Sequence, residues 1–89
     1  DPYTGDNWAA FQAWNADAGR GTLLVYRQDA PDDRRTIKLK KVPDGSYKLY
    51  EAPEEKTTMT YTAQQLRDGI EIVIPAQRAA RVLRIEKTS

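Results

Sequence analysis

Neither cysteine nor histidine occurs among the 89 residues. Their absence removes disulfide staples, thiolate nucleophiles, Ser-His triads and the usual zinc and haem ligands together, so any chemistry would have to run on carboxylates, Lys, Arg or Tyr. An excess of charge of one sign is lacking too. Fourteen Lys and Arg stand against thirteen Asp and Glu, a net charge of +1, so the field that holds a polyanion or an anionic membrane is missing as a global property. Apolar runs are short: Leu23 to Tyr26 and Ile72 to Ile74 fall far below the roughly 20 residues that a membrane-spanning helix needs. Helical periodicity is almost absent. With 39% apolar residues the chain closes one modest core and leaves no material for a second. It opens on Asp1 and its one methionine is Met59, which reads as a module cut from a longer chain, with 1–7 a linker from an upstream domain and 8–89 a single domain.

What is present is alternation at period two. In GTLLVYRQ, Leu23 and Val25 face one way and Leu24 and Tyr26 the other, the pattern of an inner strand buried on both faces. Ile37 and Leu39 alternate with Thr36, Lys38 and Lys40; Tyr47 and Leu49 alternate with Lys48 and Tyr50. Between these runs lies Pro43-Asp44-Gly45, whose Asp-Gly pair supplies the positive φ angles of a tight turn, so the two strands are expected to form a hairpin. Thr57 to Tyr61 reads as a brief edge strand, Thr62 to Leu66 as one helical turn or a loop, and Asp68-Gly69 as a turn. Ile70, Ile72 and Ile74 share one face of a strand that Pro75 stops. Gln77 and Arg78 link tightly into a last strand, Ala79 to Ile85, where Leu83 and Ile85 share a face. NWAAFQAWN, Asn7 to Asn15, fits either a helix through Trp8, Phe11 and Trp14 or a strand. A lone helix of that length is marginal, so the strand is preferred, with Ala9, Phe11 and Ala13 opposite Trp8, Ala10, Gln12 and Trp14. The prediction is an all-β fold, an antiparallel β-sandwich of about seven or eight short strands with negligible helix. Its core is expected at Leu23, Val25, Ile37, Leu39, Tyr47, Leu49, Ile72, Leu83 and Ile85.

Three groups of side chains are candidates for chemistry. Asp29, Asp32 and Asp33 form the densest acidic group; a pair of glycosidase carboxylates needs a cleft and one desolvated partner, which a Pro-containing turn does not provide, so a solvated loop is expected, with a weak calcium site as the alternative. Arg34, Arg35, Lys38, Lys40, Lys41 and Lys48 would fall on the two paired strands, where a solvated face is expected and no nucleic-acid partner. Tyr3, Trp8, Phe11 and Trp14 crowd the first 14 residues; they serve either as core and docking surface or as a stacking platform for sugar rings. No cofactor is called for.

These residues resemble a known family. Trp8, Ala10 and Gln12, followed by Gly19, Gly21, Tyr26 and Arg27, are similar to the opening of the C-terminal β-sandwich domain of family 36 (melibiase-like) α-galactosidases, where a "WxAxQ" strand leads into a "GxGxxxxFR" strand. Ile37, Leu39, Val42, Pro43, Asp44, Tyr47 and Leu49 resemble that family's next stretch, and Thr62, Leu66, Gly69, Ile70, Ile72 and Ile74 a later one; Arg78 to Ile85 would be its final strand. Departures are Tyr26 where Phe is usual, Phe11 where a second Trp is frequent, and Gln64 near a position often glycine or acidic. The resemblance implies a non-catalytic accessory domain that packs on and steadies a catalytic barrel in the same parent chain, the catalytic aspartates belonging to that barrel. Trp8, Phe11 and Trp14 would then be interdomain docking residues or, in the alternative of a carbohydrate-binding module, sugar-stacking ones. An immunoglobulin-like interaction domain is the third possibility.

Overall fold

The computed structural model describes residues 7–15, 17–51 and 58–88; Tyr3, Thr57 and all of the expected linker except Asn7 lie outside them. Its elements are β1 (Trp8–Asn15), β2 (Arg20–Arg27), β3 (Arg34–Ile37), β4 (Ser46–Glu51), β5 (Met59–Thr62), α1 (Ala63–Asp68), β6 (Ile70–Val73) and β7 (Ala79–Lys87). They form two antiparallel sheets, one in the order β1-β2-β7-β4-β5 and the other the pair β3-β6. The fold is an all-β sandwich, as the alternation predicts.

The core lies between the sheets. Leu23 and Val25 of β2, Tyr47 and Leu49 of β4, and Leu83 and Ile85 of β7 share one buried cluster with Ile37, Ile70, Ile72 and Ile74 and with Leu39, Val42 and Leu66. All nine expected core residues are buried. One short helix stands among the strands, because Thr62 to Gln65 carry a complete capping box: the Thr62 hydroxyl accepts from the Gln65 N–H and the Gln65 side chain accepts from the Thr62 N–H. That cap turns Ala63 and Leu66 onto the core.

The expected hairpin between the Ile37 and Tyr47 strands does not form. β3 pairs instead with β6, Ile37 opposite Ile70, and β4 pairs with β5 and β7. Residues 38–45 therefore cross from the small sheet to the large one. The Asp-Gly signal is present, with Gly45 at φ 142°, but Lys41 also turns at φ 58°, and Leu39 and Val42 go into the core rather than into a ladder. The arch is held by main chain and side chain together. Leu39 N–H donates to Leu66 O at 2.9 Å, the Arg67 guanidinium donates to Val42 O and to Asp44, and the Tyr47 hydroxyl donates to Pro43 O. A tyrosine bonding back to the chain a few residues upstream is the corner device of β-sandwiches. Tyr47→Phe should leave the fold intact and lower stability by about 0.5–1.5 kcal/mol, the usual loss of one hydrogen bond; a thermal melt beside the parent chain measures it. Burial pushes the Tyr47 phenol above its ordinary pKa.

Because the two strands do not pair, the basic stripe expected across them is split. Arg34 lies on the small sheet, bonded to Asp33 at 3.0 Å and Glu71 at 3.4 Å. Lys48 lies on the large sheet, 3.4 Å from Glu86.

Among the described residues three polar side chains join the layers: Arg81 of β7, which donates to Val73 O of β6 at 3.1 Å, Gln12 and Arg27. Gln12 presents its amide edge-on to the arch, donating to Lys40 O at 2.6 Å and accepting from Lys40 N–H at 3.0 Å. Arg27, in the inward phase of β2 after Leu23 and Val25, is only 4% exposed. Its guanidinium donates to Ala30 O, Ile74 O, Pro75 O and Pro31 O, tying the loop after β2 to the end of β6.

Candidate functional site

The inner face of the five-stranded sheet is spent on the core, so a contact surface has to come from its outer face. Side chains there stand in cross-strand rows set by the registers. Phe11, Leu24 and Val82 form one row across β1, β2 and β7; Ala9, Tyr26 and Ala80 form the next. Phe11 is 63% and Val82 40% exposed, while Leu24 and Tyr26 are half-buried. This corrects the expectation for β2, which lies inside the sheet but is covered on one face only: the two-stranded sheet backs its Leu23 and Val25, and among the described residues no second layer covers Leu24 and Tyr26.

Beyond the apolar rows the same face turns polar. Ala13, Thr22, Arg84 and Tyr50 stand opposite one another, then Asn15, Arg20, Glu86 and Lys48; all of these but Lys48, together with Trp14, Gly21 and Ile85, line a shallow groove of about 560 Å³. Glu86 accepts from the Tyr50 hydroxyl at 2.6 Å, and Arg84 donates to the Thr22 hydroxyl at 2.9 Å. The Tyr50 hydrogen bond, helped by Lys48 and Arg20, holds the Glu86 carboxyl below the usual carboxylate range. A carboxyl depressed in the folded state adds stability that is present above its unfolded pKa and lost as pH falls through the folded value. Carboxyl NMR titration should place Glu86 below an ordinary glutamate, and Tyr50→Phe should move its midpoint back up.

The three aromatic residues singled out from the sequence do not converge. Trp8 is 1% exposed on the inner face, with the Arg35 guanidinium 5.7 Å from its ring centre. Trp14 is on the same inner face, edge-on to Tyr47 at 5.5 Å and 61°. It lies so close over Gly21 that a Cβ there would come within 2.4 Å of its ring. Only Phe11 presents its ring outward. A pair of flat exposed tryptophans for sugar stacking is therefore not what this strand builds: the core takes Trp8 and the Gly21 gap takes Trp14. The acidic loop is engaged as well, Asp29 accepting from Arg78 at 2.9 Å and Asp33 from Arg34 at 3.0 Å, the latter bond lowering the Asp33 pKa. Among the described residues, no three acidic side chains are grouped to hold a metal ion.

Leu24, Tyr26 and Val82 were not picked out as surface residues from the sequence. The signal was a second apolar phase: β2 is apolar on both faces, and Val82 is out of step with Leu83 and Ile85 on β7. Compared with known proteins, the chain matches no family model, no curated protein and no solved structure.

Proposed function

We propose that this chain is a non-catalytic β-sandwich accessory module that works by contact, the outer face of its five-stranded sheet covering a larger domain. One observation carries the proposal: a strand apolar on both faces has a layer on only one of them, and the uncovered face holds the contiguous Phe11, Leu24, Val82 and Tyr26. Contiguous apolar surface rimmed by polar groups is the usual form of a protein contact site. The resemblance to the C-terminal domain of family 36 α-galactosidases supplies the partner, the catalytic barrel of a glycoside hydrolase in the same parent chain. Residues that carry the resemblance, Gln12, Gly21 and Arg27, have scaffold roles here, which supports a likeness at the level of the sandwich.

Adding such a barrel, lacking its own C-terminal domain, to the isotope-labelled chain should shift NMR signals of Leu24, Tyr26 and Val82 and leave the small sheet unmoved. Val82→Glu should abolish those shifts without lowering the melting temperature. Activated aryl glycosides should not be turned over by the chain alone. If α-galactosides or polysaccharides at millimolar concentration, near −4 kcal/mol of affinity, move Tyr50 and Arg84 in the groove while the barrel moves nothing, the module binds carbohydrate and the docking account fails.

A further inference from the structure

The five-stranded sheet ends on two unlike edges. At one, β5 is only 4 residues long. At the other, β1 runs for 8 residues, WAAFQAWN, with no charge, proline or glycine. Edge strands of that length usually carry such a blocker, since their outward N–H and C=O groups are a template for another strand.

Ladder parity identifies those groups. The Gln28 N–H donates to Asn7 O at 2.8 Å, so Asn7, and by antiparallel alternation Ala9, Phe11, Ala13 and Asn15, turn their main-chain groups toward β2. Trp8, Ala10, Gln12 and Trp14 turn theirs away from it. Among the described residues these outward groups have no main-chain partner.

We infer that β1 is a self-association edge on which a second copy of this chain pairs antiparallel, about a two-fold axis through Phe11. Parity sets the register. Centring on Phe11 places Ala10 opposite Gln12 of the second copy and Trp8 opposite Trp14, so that each outward group meets another outward group. Shifting the axis to Ala10 or to Gln12 strands an outward position at one end. Side chains favour the same axis. Phe11 faces its own copy in a non-hydrogen-bonded pair, where side chains on one face approach most closely, and it is the most exposed large apolar side chain among the described residues, at 63%. Its row with Leu24 and Val82 then runs unbroken into the same row of the second copy. The occupant is this chain itself because the strand is complementary to its own copy in hydrogen bonding and in side chains, as an isologous interface requires. The inference needs no partner domain; it shares Phe11 with the docking face proposed above but not Val82, which tells the two apart.

Sedimentation equilibrium of the chain from micromolar to millimolar concentration tests it. The mass should rise with concentration to twice the 10.1 kDa of the monomer. Phe11→Lys and Phe11→Glu, at an exposed position, should keep the parent dichroism spectrum and each remain monomeric. Mixing the two should restore a dimer of one copy of each, because opposite charges meet only if position 11 faces position 11. A parent chain that stays monomeric throughout, a dimer that survives Phe11→Lys, or a mixture that fails to pair would each overturn the inference. Val82→Glu, two strands from the edge, should still dimerise, which separates loss of this contact from loss of docking.

Discussion

Arg27→Met is expected to destabilise the chain by about 2–5 kcal/mol, several buried acceptors each costing roughly 1–3 kcal/mol when left unpaired and part of that being recovered by relaxation. At roughly 4–8 °C per kcal/mol for a domain of this size, the melting temperature should fall by on the order of tens of degrees. The cause lies in who the partners are. A buried ion pair can often be exchanged for apolar residues with little loss, because both charges leave together. Here the acceptors are main-chain carbonyls of Ala30, Ile74 and Pro75, which no substitution at position 27 removes. Arg27→Lys should recover little, since an ammonium on a flexible stem lacks the planar fork that reaches two chain segments at once. Arg84→Met serves as control: it loses one exposed bond to Thr22 and should stay within about 0.5 kcal/mol of the parent. If Arg27→Met melts with the control, the guanidinium is not what holds the loop after β2 to the end of β6.

The strands were legible where alternation is strict. Ile70, Ile72 and Ile74 could not be moved by one residue without turning to water, and they are buried as a set. Pairing was less legible. Asp44-Gly45 encodes a local backbone angle, which serves an arch between sheets as well as a hairpin. What decides between them is the burial of Leu39 and Val42 and the reach of Arg67 to Val42 O, 25 positions away in the chain. Arg27 was hidden for a related reason: an arginine ending an apolar strand looks like the strand's exit into solvent, and only the carbonyls folded back around it reveal a buried cation. The candidate surface was half legible. The two apolar phases of β2 announced a covering layer on each side, but composition could not say that this chain supplies only one of them.

The aromatic strand is the second place where a large effect is expected, and it separates residues that sequence proximity groups together. Trp8→Ala should cost about 3–5 kcal/mol, the usual range for truncating a fully buried large aromatic, whereas Phe11→Ala should cost less than about 0.5 kcal/mol as a surface change. Period-two geometry is the reason. Three residues apart on a strand is an odd number, so the two rings point to opposite faces, Trp8 into the core at 1% exposure and Phe11 outward at 63%. Trp8 also supports the Arg35 guanidinium stacked over it at 5.7 Å, and its removal opens a cavity in the buried cluster to which it belongs that relaxation fills only in part. Paired denaturant titrations followed by dichroism measure both variants on one scale. Trp8→Phe should recover a good part of the loss, since it keeps an aromatic volume in the site. Equal midpoints for Trp8→Ala and Phe11→Ala would mean that Trp8 is not a core residue, and the assignment of the Phe11 face of β1 as its outer, contact-making face would fall with it.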